Sequence, residues 1–197
     1  SITPPLKQFC EVAGNIGVVT YHVDEDGVCR RLPLIFKVKD KYYPQLSFAA
    51  YLLSARDSVV RYDEKHNTLV TRKNSFKLDK NGYYSIYWYG PGSDGEKGVY
   101  RCNSFYDVFR SAIQVMEEKE PIIPLKEYKN KKILVYATAS GLMDLKTTPF
   151  SSTSEPYPGG EIHATLLDNL LNGIAVKKVP EKIIILISLF FSFFLSH

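Results

Sequence analysis

Cysteine is scarce, with only Cys10, Cys29 and Cys102 in a chain of 197 residues. Their spacing fits no zinc or redox pattern, which excludes a cysteine-built metal centre and a disulfide scaffold. Separate, partly buried thiols are expected; a single disulfide with one thiol left over is the alternative in an oxidising compartment. Blocks of like charge are also missing. The 25 Lys and Arg are scattered among 21 Asp and Glu, for a net charge of +4. That leaves no basic footprint of the kind nucleic acid requires, and no nucleic-acid partner is expected. No internal repeat runs through the chain. No charged-then-apolar leader follows Ser1, so a fragment or processed product is expected.

What is present suits one folded domain of ordinary size. Apolar residues make up 45% of the chain and aromatics 13%, with 14 Tyr, enough for a real core. Pro5 to Ala13 reads as a short helix ended by Gly14 and Asn15, and Ile16 to Val23 as a β-branched strand. Asp24-Glu25-Asp26-Gly27 reads as a turn. Leu32 to Val38 and Lys41 to Tyr43 form a hairpin about Lys39-Asp40, closed by Pro44. Ser47 then caps a helix that turns Phe48, Ala49, Leu52 and Leu53 inward. Short strands are expected at Val59-Val60 and Thr68 to Thr71. Asn81-Gly82 turns the chain into Tyr83–Tyr89, whose residues Tyr84, Ile86 and Trp88 share a face. Ser104 to Asp107 fits a capping box, leading a helix on which Phe105, Phe109, Ala112 and Met116 align. The expected fold is α/β: a mixed sheet with covering helices.

The chain is organised around Lys131 to Gly173. Ile133 to Tyr136 reads as a short buried strand. Gly160 to Leu171 reads as an amphipathic helix, with Ile162, Leu166, Leu167, Leu170 and Leu171 on one stripe and Gly173 at its left-handed end. Between them lies a loop of about twenty residues, a length usually reserved for function or disorder. Loops at the C-terminal ends of strands are also where open α/β sheets bind ligands.

Two stretches carry a family resemblance. K-I-L-V-x-A-T-A-x-G-L-x-D-x-x-x-T-P-F followed by P-G-G-E-I-H-A-x-x-L-D-N-L-L, and earlier D-E-D-G-V-C-R-R-L-P-L with Y-P-Q-L-S-F-A-A, stand in the right order for a CHASE domain of the second type. The chain resembles the C-terminal part of that module over Pro5 to Lys178, with a looser fit from Ser58 to Lys80. The family's opening strands are missing, so a partial domain is expected. The resemblance implies a non-catalytic, extracytoplasmic (periplasmic or extracellular) sensor in a bacterial receptor. It further implies a cyclase or kinase as the output, most often an adenylate or guanylate cyclase, and a homodimeric full-length receptor. The cue, a small molecule or a protein, is not legible.

Several constellations invite chemistry. Gly90-Pro-Gly92-Ser-Asp-Gly95 matches G-x-G-x-x-G, but no helix opens at once behind it to hold a pyrophosphate, so a plain Gly-rich turn is expected. Ser140, Asp144 and His163 make an imaginable nucleophile, orienter and base, which is the residue set of an alternative reading as a membrane-anchored envelope hydrolase. A non-signalling envelope binding domain is the other alternative. Ala139-Ser140-Gly141 is not a nucleophile elbow, and His163 is better read as a partly buried residue bracing the loop. Asp24, Asp26, Arg30 and Arg31 are either a ligand contact with guanidinium forks or a turn whose charges pair locally. Asp144, Thr148 and Glu161 supply oxygens, without the spacing of a cation site. These nine residues are the candidate ligand-contacting set; no metal, no cofactor and no catalytic residue is expected.

The last stretch, Ile183 to Leu195, is apolar apart from two serines. Alone it is short of the roughly 20 residues that span a bilayer. Four phenylalanines and no polar face argue against a core helix, so a truncated transmembrane helix is expected. Residues 1–178 then form the sensory domain and 180–197 the start of a lipid-embedded helix.

Overall fold

A computed structural model describes residues 3, 5–93, 98–138, 145–151, 157–176, 179 and 181–195. In chain order the elements are α1 (Lys7–Val12), β1 (Arg31–Pro33), β2 (Ile35–Val38), β3 (Lys41–Pro44) and α2 (Leu46–Ala55). Then come β4 (Val59–Asp63), β5 (Thr68–Thr71), β6 (Ser75–Lys77), β7 (Tyr83–Ser85) and α3 (Phe105–Met116). Last are β8 (Leu145–Lys146), β9 (Tyr157–Pro158), α4 (Gly159–Asn172) and α5 (Glu181–Leu195).

The fold is mixed α/β, but the expected single mixed sheet is replaced by small antiparallel ones. β1 pairs with β7, β2 with β3, β4–β5–β6 make a three-stranded sheet, and β8 pairs with β9. Each strand is at most five residues long, and tight turns return the chain at once. Such short strands pair with what lies beside them, and only β1–β7 reaches across the sequence, with Leu32 opposite Tyr84. The Lys39-Asp40 hairpin forms as expected, with Lys39 at φ 55°. Its first strand starts at Ile35, because Leu32 belongs to the β1–β7 pair. The short strands expected at Val59-Val60 and Thr68 to Thr71 form, as β4 and β5.

The core lies where α2 and α4 meet over the sheets. Leu32, Leu34, Phe48, Tyr51, Leu69, Phe76, Tyr84, Ile86 and Tyr157 close around Ile162, Leu166 and Leu170 of α4. Phe48 stacks on Tyr51, and Phe76 sets its edge against both, the offset and edge-on geometries that ring quadrupoles prefer. The Tyr83–Tyr89 run alternates as expected, with Tyr84 and Ile86 buried and Tyr87 and Tyr89 exposed.

Other expectations need correction. Ile133 to Tyr136 is neither strand nor buried: it is coil, and Val135 is 78% exposed. Among the described residues no strand pairs with it, and without a ladder an apolar run has no reason to stay a strand. Ile16 to Val23 is likewise coil, except for one parallel bridge from Val18 to Gln45. α2 is capped by Gln45, whose side-chain oxygen accepts from the amides of Ser47 and Phe48, in place of the expected Ser47. That start turns Tyr51 inward and leaves Leu53 60% exposed. On α3 the aligned Phe105, Phe109 and Met116 face solvent, while the inner side holds Ser111, which accepts from the Ile123 amide.

α5 forms where expected, and every described side chain from Lys182 to Ser192 is exposed. It has 15 residues. Among the described residues no helix is long and apolar enough to cross a membrane.

Leu166→Ala should therefore lower the unfolding free energy by about 3 kcal/mol, the usual cost of a cavity at a fully buried leucine. Leu53→Ala, on the same sequence expectation but exposed, should stay within about 0.5 kcal/mol. Denaturant midpoints at constant m-value check the pair.

Candidate functional site

α4 is buried on nearly every side. Beside its apolar stripe it hides Glu161, His163, Thr165 and Asn169. An amphipathic helix normally leaves such residues in water, and a buried polar group without a partner is costly. Each of these four has therefore been given one, and the partners come from different parts of the chain.

Glu161 sits in the first turn of α4 and is fully buried. The Ser93 amide donates to both carboxylate oxygens at 3.1 Å, and the Ser93 hydroxyl donates to one of them at 3.1 Å. Tyr136 donates its phenol to Oε1 at 3.2 Å, with the Cys102 thiol 3.8 Å from the same oxygen. The helix N-terminus adds its own positive field. Burial first, then the bond to Cys102 and the nearby Glu161 charge, push the Tyr136 phenol far above its ordinary value, so it stays a donor. Gly160 is required here by space: a Cβ would lie 2.1 Å from the Tyr136 ring. Ser93 of the Gly-rich run thus cradles a carboxylate that belongs to the protein itself, and Asp94 and Gly95 lie outside the described residues. Gly92 lies against Pro158, where a Cβ would come within 2.9 Å of the proline ring.

His163 is buried as well, more completely than the sequence suggests. It braces α2. Gln45 Nε2 lies 2.7 Å from His163 Nδ1, and Ser47 donates its hydroxyl to the His163 carbonyl at 2.8 Å. The Gln45 oxygen is committed to the α2 cap, so its amide nitrogen must donate to Nδ1 and the imidazole proton must sit on Nε2. Nε2 has no hydrogen-bond partner among the described residues. Burial holds the imidazole down to about 4, so it is neutral at physiological pH. The Tyr21 ring lies 5.1 Å away, and its hydroxyl donates to the Gly159 carbonyl at 2.6 Å.

Asn169 treats Tyr87 as a strand would, accepting from its amide at 2.7 Å and donating to its carbonyl at 3.2 Å. Thr165 receives the Tyr100 hydroxyl at 3.3 Å. The helix ends at Gly173, φ 66°, as the sequence predicts.

The remaining candidates lie elsewhere. Arg30 forks onto Asp26, at 2.9 and 2.7 Å, and also reaches Asp24. Arg31 joins Asp24 to Asp79. The charges of this cluster answer one another around a turn with Gly27 at φ 78°, and the Arg30 bonds hold the Asp26 carboxyl at about 2. Thr148 is buried in a turn with Ser151. It does not join Glu161, and among the described residues no group of acidic, His and Cys side chains could hold a metal ion. Ser140 and Asp144 lie outside the described residues. Cys10, Cys29 and Cys102 are free thiols, with burial pushing Cys29 up to about 12.

The sequence model of the CHASE2 domain matches residues 3–196. The chain belongs to the CHASE2 domain family. This family is one of extracytoplasmic, sensory, non-catalytic domains. The match takes in the whole described fold and reaches α5. Searches of curated proteins and of solved structures returned no match. Sequence reasoning named Glu161 and His163 but missed Gln45, Ser93, Tyr136 and Asn169. The one available signal was the polar content of α4 itself: a helix next to a Gly-Gly start with Glu, His, Thr and Asn among its leucines is too polar for a core and too apolar for a surface.

The neutral His163 gives a pH dependence. Its folded value, about 4, is below the ordinary 6.5, so the unfolded chain binds the extra proton and stability falls as pH drops through that window. The loss approaches about 1.4 kcal/mol per pH unit. Denaturant midpoints taken from about pH 7 to about pH 4.5 should fall steeply for the natural chain and less for His163→Gln. Equal slopes would refute the assignment.

Proposed function

We propose that this CHASE2 domain is the input domain of a bacterial transmembrane receptor whose cytoplasmic output is an adenylate or guanylate cyclase. The observation that supports it most is the pairing of family membership with α4. This helix touches the Ser93 loop, α2, the Tyr87 segment and Tyr21 at once, and eight residues separate its end from the exposed apolar α5. A cue that shifts any one of those segments acts on the same rigid rod.

In this reading α5 is the outer part of a membrane helix. Its 15 residues rise about 22 Å, part of the roughly 30 Å of a hydrocarbon core. The folded domain lies outside the cell membrane, and two copies of the receptor bring their spans together as a homodimer. The Tyr84 hydroxyl donates to the Ile174 carbonyl at 2.8 Å, which fastens the exit of α4 to the core. A change in how α4 packs then reorients the segment leading to α5, provided the two arrangements differ by only a few kcal/mol.

Inserting two to four glycines at Val179–Pro180 in the full-length receptor tests the lever (a count of the order a flexible break needs). Cue-dependent change in output should fall at least about fivefold while basal output persists. Unchanged regulation would overturn the reading.

A further inference from the structure

A cleft of about 420 Å³ opens between the Thr20–His22 segment, the β2–β3 hairpin and the Asn81-Gly82 turn. Small-molecule sites run from roughly 300 to 1,000 Å³, so the space suits a ligand at the small end. Four tyrosines from separate segments line it: Tyr21, Tyr42, Tyr62 and Tyr83. Tyr42 is 54% exposed. Two charges of opposite sign, Lys37 and Glu64, line the same cleft. Neither belongs to a salt bridge among the described residues. Lys37 Nζ stands 5.7 Å over the Tyr42 ring.

The cleft is held open by groups outside it. Arg31 ties Asp24 to Asp79 and lies 5.5 Å over the Tyr83 ring. Asp79 in turn accepts from the amides of Asn81 and Tyr83, fixing the turn in which Gly82 takes φ 83°. The Tyr62 hydroxyl is anchored on Asn67 at 3.2 Å. The charged cluster of Asp24, Arg30 and Arg31 thus buttresses one wall, while Lys37 and Glu64 line the cleft itself.

We propose that this cleft is the cue site and that it takes a small aromatic zwitterion with the chemistry of a free aromatic amino acid. Tyrosine rings face the ligand's ring, Lys37 receives its carboxylate and Glu64 its ammonium. The proposal rests on the sensory reading above and adds the class of cue. It also supplies the route to α4. Tyr21 lines the cleft, packs on the His163 ring and donates to the Gly159 carbonyl at the first residue of α4. A ligand that displaces Tyr21 therefore acts directly on the helix start.

Titration calorimetry on the intact protein with L-tryptophan, L-tyrosine and L-phenylalanine tests the site. At least one should bind saturably, with a Kd between the micromolar and low millimolar range. Tyr42→Ala should weaken that ligand at least about tenfold, and the exposure of Tyr42 makes the variant safe to fold. For an indole ligand, Lys37→Met should leave tryptamine unaffected and Glu64→Gln should leave indole-3-acetate unaffected, while each weakens L-tryptophan. No saturable binding up to about 5 mM, or binding indifferent to Tyr42→Ala, overturns the cue site. Binding that leaves receptor output unchanged overturns the sensory role of the cleft and keeps the site. Regulation by some other cue, with no amino acid bound, removes the site and keeps the receptor reading.

Discussion

A helix surrounded by protein has nowhere to leave its polar side chains, and this constraint shapes the molecule around α4. Glu161, His163, Thr165 and Asn169 are buried with it. Each would be costly alone, since a buried polar group without a partner loses about 1–3 kcal/mol. Their partners are therefore fixed in number and direction: Ser93 and Tyr136 at one end, Gln45 in the middle, Tyr100 beside it, and the Tyr87 backbone farther along. Apolar packing would have tolerated sliding. Hydrogen bonds at set positions do not, so α4 has one register against the rest of the fold.

Gln45 shows how one side chain can join two elements. Its oxygen caps α2 and its nitrogen holds His163 of α4. Because an amide cannot reverse those roles without losing both sets of bonds, the α2 cap dictates the His163 tautomer. The result leaves a buried N–H without a partner, one of the few such groups among the described residues. A neutral, buried imidazole of this kind suits a structural joint between helices, and it sits beside Tyr21, the residue through which the cleft reaches α4.

Much of the local structure was legible from the chain, and for reasons that stay within a few residues. Turn chemistry placed Gly27 and Gly173 correctly at positive φ and a turn at Asn81-Gly82, and the period of the leucines in α4 gave its extent almost to the residue. What could not be read were choices settled by distant segments. Ile133 to Tyr136 has strand composition, but a strand needs a neighbour, and none of the described ones lies beside it. The Phe105–Met116 stripe has helical spacing, yet spacing says only that residues share a face. Which face meets the core depends on Ser111 and Ile123. The same limit applies to the site. Glu161 is legible as an oxygen donor and His163 as a brace for the loop, whereas Gln45 and Ser93 look like ordinary loop residues until folding brings them across 118 and 68 positions of sequence.

These features bear on signalling through the difference between stiff and soft links. α4 is stiff: 14 residues, clamped by polar bonds along its length. The Gly173 end is softer by composition, since the helix stops there in a left-handed turn and the hydrogen bonds from Tyr84 to Ile174 and from Ile174 to Asn169 are what fasten the exit. A displacement entering at the α4 start, through Tyr21 or through the Ser93 cradle, cannot be absorbed within the helix, because every polar contact would have to stretch together. In the proposed receptor it is delivered to the exit, which among the described residues is fastened by the Tyr84 and Ile174 hydrogen bonds. A sensor built this way needs no large motion at the cue site, only a bias between two packings of one rod. The burial that makes α4 expensive in polar terms is also what makes it able to carry that bias.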